Sequence, residues 1–165
     1  MQEAVRTPVI VAYGRSAIAK AIKGSLAATH PVDFAAQVLR GVLLRVPALD
    51  PGGIDDLIVG CSMPFGRQGI NMARLIALRA GLPHSVPAQT VNRFCSSGLQ
   101  TIATAANAIS AGEADILVAG GVEQMQQSTM LMNPDDFDPV LLDIEPGAYL
   151  PMGQTAENVA ARFCV

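Results

Sequence analysis

The stretch VNRFCSSGLQ, residues Val91 to Gln100, places a cysteine where the chain changes from one periodicity to another. The residues before it, VPAQTV, are branched and alternating as in a strand, whereas SSGLQTIATAANAISAG carries small and apolar residues at helical spacing. Cys95 therefore lies at a predicted strand-to-helix junction. The first turn of a helix offers free N–H groups and a partial positive charge, which favour a thiolate and can hold an oxyanion. The junction thus predicts a nucleophilic cysteine.

The composition predicts a soluble chain with one substantial core. The chain has 165 residues, of which half are hydrophobic and 15% are charged. A chain of this length and composition can form one domain with a buried core. A net charge of −3 offers no basic patch, so we expect no nucleic-acid partner. We also expect no membrane partner and a cytoplasmic location, because an apolar run of about 18 residues and a secretory leader are both missing.

Three cysteines, Cys61, Cys95 and Cys164, are spaced too widely for a zinc site or a disulfide framework. We therefore expect reduced thiols and no metal. Isolated thiols are usually inert core residues, and this interpretation suits Cys61 at the end of an apolar strand and Cys164 near the end of a helix.

Outside the junction, the pattern predicts strands and helices in alternation. Strands are predicted at 8–14, 56–61, 86–92 and 115–121, and helices at 33–46 with Asp33 as its cap, at 71–81 with Gly81 at its carboxyl end, and between Cys95 and Gly112. Because one strand is apolar on both faces, the sheet is predicted to be parallel, with helices covering it.

Residues 126–150 show no clear period and are rich in proline and aspartate, so they are predicted to form a lid-like loop. A final helix is predicted from Thr155, and the chain stops within it. We therefore expect one domain at 1–125, the start of a loop region and a truncated helix at 126–165, and a carboxyl-terminal half outside this chain.

The helix that follows Cys95 has no solvated face, since no charged residue occurs from Phe94 through Gly112. A helix of this kind is covered on every side. Its small residues let another backbone approach closely. We expect its second partner to belong to another chain or to the half that is missing here.

Several stretches in order resemble the thiolase family, which exchanges acyl groups between acetyl-CoA and 3-ketoacyl-CoA. They are VRTP, KGSL, QGINMARLIALRAGLP, VPAQTVNRFCSSGLQ, AGEADILVAGGVEQM and MGQTAENVA, and together they cover nearly the whole chain. The forms NRFCSSGLQ and PMGQTAENVA are closer to the degradative 3-ketoacyl-CoA thiolases. The resemblance implies an α/β half-domain with a mainly parallel mixed sheet and helices on both faces, one half of a five-layer αβαβα sandwich.

The resemblance also implies roles for particular residues. Cys95 is the nucleophile that carries the acyl group, and its backbone N–H contributes to the oxyanion site. Met152 and Gly153 match a stretch near the acyl pocket. The implied substrates are CoA thioesters, with no permanently bound cofactor, and the implied assembly is a homodimer through residues 86–92.

Thiolases also use a histidine base and a second cysteine, in motifs of the Gly-His-Pro and Cys-x-Gly type that this chain lacks. His30 and His84 lie beside prolines in turns, and we expect neither to be the base. Gly120 and Gly121 indicate either a tight turn or a close backbone approach. Two alternatives stay open: a β-ketoacyl synthase-like condensing enzyme, and a non-catalytic interaction module that keeps only the dimerising surface.

Overall fold

A computed structural model describes residues 6–125 and 133–165. They belong to two compact units, Met1–Ser128 and Thr129–Val165. The elements of the first unit are α1 (Pro31–Leu43), β1 (Asp56–Gly60), α2 (Met72–Ala80), β2 (Ala88–Val91), α3 (Ser97–Ala111) and β3 (Leu117–Gly121). Short 3-10 turns occur at Pro51–Gly53 and Gly66–Gln68.

The three strands form a parallel sheet in the order β2-β1-β3. Leu57 pairs with Ala88 on one side and with Val118 on the other. Since side chains alternate along a strand, the central strand β1 presents residues to two different layers. The predicted α/β class, with helices on both faces of a parallel sheet, is confirmed.

The larger core lies on the face that α1 and α2 cover. Its buried residues come from both helices and from the strands beneath them, and they include Ala36, Leu39, Leu57, Val59, Met72 and Ile76. The opposite face of β1 carries the buried Ile58 and packs against α3, whose buried residues are Ser97, Thr101 and Ala105. Helix α3, which follows Cys95, therefore forms a layer of its own.

Helix ends follow the expected chemistry at α2 and α3. The Asn71 side chain accepts a hydrogen bond from the Arg74 N–H at 3.2 Å and begins α2. Gly81 and Gly112 end α2 and α3 in the left-handed conformation, at φ 87° and 75°, which glycine adopts without strain. Both predicted carboxyl ends are confirmed.

The prediction for the start of α1 is wrong. His30, not Asp33, is the cap: its Nδ1 accepts from the Val32 N–H at 3.3 Å, and Pro31 occupies the first helical position. Asp33 instead lies in the first turn and forms an ion pair with Arg79 of α2. The negative side chain is still favoured there by the helix dipole.

The strand predicted at 8–14 does not form. Residues 6–20 have no regular secondary structure, and Val9, Ile10 and Val11 are 73–78% exposed. Among the described residues, β3 has no neighbour beyond β1. An apolar run becomes a strand only when a neighbouring strand takes up its backbone hydrogen bonds, and local sequence alone does not supply one.

Asp55 ties the beginning of β1 to the beginning of β3. Its carboxylate accepts hydrogen bonds from the N–H groups of Asp115 and Ile116, at 2.7 and 2.9 Å. These two hydrogen bonds lower the pKa of Asp55, because they stabilise the ionised form, and the bond from Ile116 has the larger effect. The sheet is thus pinned at the end opposite to Cys95.

The second unit contains α4 (Pro139–Ile144) and α5 (Met152–Phe163). Residues 126–132 of the predicted loop lie outside the described residues, but 139–144 are helical, because Asp138 caps them and Pro139 fixes the first turn. The prediction for α5 is also corrected, since it begins at Met152. Thr155 lies in its first turn, and its hydroxyl donates to the Pro151 carbonyl.

No helix in the two described stretches is long and apolar enough to cross a membrane.

Candidate functional site

Cys95 lies in the turn between β2 and α3 and is exposed. Directly before it, Phe94 has φ 48°, a left-handed conformation that costs free energy for a residue with a Cβ. Asn92 stabilises this turn, because its Oδ1 accepts from the Phe94 N–H at 2.8 Å. The predicted strand-to-helix junction is confirmed, with backbone strain immediately beside the thiol.

Ser97, the first residue of α3, closes the same turn from the other side. Its hydroxyl accepts from the Arg93 N–H at 2.8 Å and donates to the Phe94 carbonyl at 2.6 Å. The residue is only 4% exposed. Two short polar side chains therefore hold the backbone of the turn around Cys95, residues 92–97. Sequence reasoning missed both, although an asparagine and a serine flanking a junction are the residue types that form such turns.

The first turn of α3 begins without a side-chain cap. Within residues 6–125, the N-cap residue Ser96 makes no side-chain capping hydrogen bond. The Ser97 N–H donates to the Phe94 carbonyl at 3.0 Å, whereas the N–H groups of Gly98 and Leu99 in this 15-residue helix have no hydrogen-bond partner among the described residues. They can stabilise a thiolate at Cys95 or the oxyanion of a thioester under attack.

Glycines bring the start of α3 into contact with the carboxyl end of the sheet. A Cβ added to Gly60 would lie 2.5 Å from the carbonyl carbon of Ser97, and one added to Gly121 would lie 3.3 Å from the Cα of Gly98. Gly121 therefore marks a close backbone approach, whereas a Cβ at Gly120 meets nothing within 4 Å. The hydroxyl of Thr101 adds a hydrogen bond to the Gly120 carbonyl at 3.0 Å. Ligands of open parallel sheets bind at this end of the strands.

A polar cluster occupies the same edge, just beyond β1 and β3. The Glu123 carboxylate accepts from the Ser62 N–H at 2.7 Å and from the Gln68 amide at 3.0 Å. Gln68 is 3% exposed, and it also donates to the Met63 carbonyl and accepts from the Gln124 N–H. Sequence reasoning gave no role to these residues, because 55 or more positions separate the partners of Glu123 from it along the chain.

The other two cysteines are placed differently. Cys61 is fully buried, and burial, reinforced by the negative charge of Glu123, raises the pKa of its thiol to about 11. Cys164 is exposed and ends α5 in the second unit, where the helix dipole is negative. Cys61 is a buried core thiol, as its position in the sequence predicted, whereas the same prediction for Cys164 is wrong, because that residue is exposed.

The histidines are not part of the turn around Cys95. His30 caps α1, and His84 lies in the turn before β2, where its carbonyl accepts from Arg74. In the described part of the first unit, neither forms a hydrogen bond to Cys95. Met152 and Gly153 form the first turn of α5 in the second unit and are exposed. Their role at an acyl pocket stays a prediction.

Comparison with known proteins gives the family context of this site. Residues 8–165 match the family model described as thiolase, N-terminal domain. The chain is 46% identical over 161 residues to a 3-ketoacyl-CoA thiolase of Bacillus subtilis (strain 168), covering 98% of this chain and 41% of that protein. It is 45% identical over 155 residues to a 3-ketoacyl-CoA thiolase of Saccharophagus degradans, covering 94% of this chain and 39% of that protein.

A third relative has a different name. An acetyl-CoA acetyltransferase of Allochromatium vinosum is 41% identical over 167 residues, which cover 94% of this chain and 42% of that protein. The chain thus spans about two fifths of the length of the curated relatives it matches.

Proposed function

Because this chain belongs to the thiolase family, we propose that it serves acyl transfer between CoA thioesters, with Cys95 as the residue that carries the acyl group. In the degradative direction, 3-ketoacyl-CoA and CoA would give acyl-CoA and acetyl-CoA. The reverse condensation uses the same groups. The observation that carries the proposal is the exposed thiol at the uncapped amino end of α3, next to the carboxyl edge of a parallel sheet.

The proposed reaction is a two-step exchange. The Cys95 thiolate attacks the 3-keto carbon, the bond between carbons 2 and 3 breaks, and its electron pair leaves on acetyl-CoA, which takes up a proton. The free CoA thiolate then attacks the acyl-cysteine and displaces Cys95. The N–H groups at the start of α3 stabilise the negative oxygen that forms in each step.

The remaining acid–base groups belong to the proposal as well. By family resemblance, the histidine base and the second cysteine come from motifs of the carboxyl-terminal half. A matched general base contributes about 100- to 10,000-fold in rate. We therefore expect the isolated 165-residue chain to acylate slowly and to turn over poorly.

The proposal extends to partners and location. CoA thioesters are the proposed ligands, and a homodimer through residues 86–92 is the proposed assembly, since β2 is at the edge of the sheet that the described residues form. The net charge of −3 favours neither nucleic acid nor anionic membranes as partners. Three free cysteines are in keeping with a reducing cytoplasm.

Complementation tests the function directly. The purified chain would be assayed for CoA-dependent loss of acetoacetyl-CoA absorbance, alone and with a thiolase carboxyl-terminal half supplied in trans or by fusion. We expect activity only in the second case, and its loss in Cys95→Ala. Full activity of the chain alone, abolished by Cys95→Ala, would contradict the proposal that the catalytic base comes from the carboxyl-terminal half. His30 and His84 would then be the candidates for the base.

Two other outcomes would favour the alternatives. Decarboxylative condensation with malonyl thioesters would indicate a β-ketoacyl synthase-like enzyme. A stable complex with the supplied half, without acyl transfer and without acylation of Cys95, would indicate an interaction module.

A further inference from the structure

The Glu123 carboxylate is surrounded by hydrogen-bond donors at the edge of the sheet nearest Cys95. Its Oε2 accepts from the N–H of Ser62 at 2.7 Å and from the hydroxyl of the same residue. Its Oε1 accepts from the Gln68 amide at 3.0 Å and faces the Cys61 thiol at 3.7 Å. Neither ion pair of the described residues involves Glu123, so neutral donors hold the charge. A partly buried carboxylate held in this way fixes the backbone that donates to it.

The backbone that Glu123 fixes is hydrogen-bonded, through Asn92, to the turn around Cys95. The Ser62 carbonyl accepts from the Asn92 amide Nδ2 at 3.2 Å. The other end of the same amide, Oδ1, accepts from the Phe94 N–H at 2.8 Å. Asn92 therefore spans from the end of β1 to the strained residue directly before Cys95. Rotating this side chain would break both hydrogen bonds at once.

We propose that Glu123 is a positioning residue for Cys95: it fixes Ser62, which orients Asn92, which in turn holds the left-handed Phe94. The inference rests on the proposed function, because it explains how the geometry that function requires is maintained. Left-handed backbone at a residue with a Cβ persists only where its surroundings over-determine it. Without that support the turn relaxes, and the Cys95 thiol moves away from the N–H groups of the first turn of α3.

The test uses an isosteric change. Both oxygens of the carboxylate accept hydrogen bonds from donors. In Glu123→Gln one of these oxygens becomes an NH2 group, which is itself a donor, so at that position two donors face each other and a hydrogen bond is lost. We expect alkylation of Cys95 by iodoacetamide to slow about tenfold, within the range for residues coupled in one hydrogen-bond network. Glu113→Gln, at the exposed turn after α3, changes the net charge equally and should leave the rate unchanged.

A second variant separates positioning from folding. Asn92 is exposed and lies beyond the last residue of β2, so Asn92→Ala should preserve the melting temperature and the protection of the buried Cys61. We expect it to slow Cys95 alkylation at least as much as Glu123→Gln does. In the double variant the rate should equal that of Asn92→Ala alone within about twofold, because both changes act on one path.

Three results overturn the proposal. The first is a rate of Cys95 alkylation in Glu123→Gln that rises or stays within twofold of the unaltered chain, and the second is an unchanged alkylation rate in Asn92→Ala. The third is a double variant in which the two effects on the rate are independent and multiply. If Glu123→Gln exposes Cys61 by unfolding the sheet, the Asn92→Ala result alone decides. Alkylation needs no turnover, so a chain that fails complementation but shows these rates would contradict the proposed function and still support the positioning role.

Discussion

At Cys95, reactivity depends on neighbours that do not touch the sulfur. The turn is strained at Phe94, and Asn92 and Ser97 stabilise it with hydrogen bonds of 2.6–2.8 Å. These groups fix where the thiol stands relative to the first turn of α3. The helix dipole acts only within that turn, so placement decides how strongly it stabilises a thiolate.

Alkylation should distinguish the three thiols of the unmodified chain. Limiting iodoacetamide at about pH 8, where free thiols begin to ionise, should label Cys95 first. Cys61 is fully buried and its thiol has a pKa of about 11, and Cys164 lies at the negative end of α5. Peptide mapping by mass spectrometry gives the order, and prior labelling of Cys61 or Cys164 would contradict it.

Gly60 should tolerate no side chain. In Gly60→Ala the new Cβ would lie 2.5 and 2.7 Å from backbone atoms of Ser97 and Gly98, so α3 must shift away from the sheet. We expect a loss of about 1–3 kcal/mol in the free energy of unfolding, the usual cost of overpacking, and slower alkylation of Cys95.

Urea denaturation measures the loss, with Gly120→Ala as the control. A Cβ at Gly120 meets nothing within 4 Å, so that variant should stay within about 1 kcal/mol of the parent. Equal losses in the two variants would show that the cost comes from strand glycines in general and not from the approach of α3.

At the scale of elements, the two ends of the sheet make different contacts. The carboxyl ends of the strands meet α3 and the Glu123 cluster, whereas the amino ends of β1 and β3 are joined by Asp55. A change at Asp55 should therefore alter stability and leave the chemistry of Cys95 unchanged.

Asp55 predicts a pH dependence with a definite sign. Its pKa is lower in the folded chain than in the unfolded chain, so its contribution is present above the unfolded value, about 4, and is lost as pH falls through the lowered folded value. Asp55→Asn should lower the urea midpoint at pH 7.

The difference between Asp55→Asn and the parent should shrink as the pH falls below about 4. Asp143→Asn, an exposed residue of α4, removes the same charge and should not shift the midpoint at either pH. If the difference in urea midpoint between Asp55→Asn and the parent grew on acidification, the pKa of Asp55 would be raised by folding and not lowered.

On the scale of the whole molecule, the open face of α3 determines how the chain behaves in solution. The helix has no charged residue, and the side away from the sheet exposes Leu99 by 71% and Ile102 by 46%. This exposed side agrees with the expectation that the second partner of α3 is not supplied by the described residues. A large exposed apolar patch drives association.

The isolated chain should therefore self-associate at about tens of micromolar, a concentration at which modest interfaces form. Leu99→Lys should weaken association by charging the exposed face of α3. Leu44→Lys, which changes an 80% exposed leucine after α1, should not. Sedimentation velocity measures both, and a parent chain that remains monomeric would contradict the expectation.

Local sequence determined the elements whose signals are local. The Asn71 and Gly81 ends of α2, the Gly112 end of α3, the central strand and the junction at Cys95 follow from periodicity and capping, which act within a few residues. The thiolase motifs likewise identified the family without any structure. The predicted cap of α1 is wrong because aspartate is among the usual capping residues and histidine is not, so residue type favours Asp33 over His30.

Only the tertiary structure decided the rest. The apolar run at 9–11 does not become a strand, because no neighbour among the described residues accepts its hydrogen bonds. The contact of Gly60 with Ser97 and the link from Glu123 to Ser62 join positions 37 and 61 residues apart. Such contacts leave no periodic trace in a single sequence, because they depend on how the strands order themselves in the sheet. Local sequence placed Cys95 at a strand-to-helix junction, and packing determined which side chains hold that junction in place.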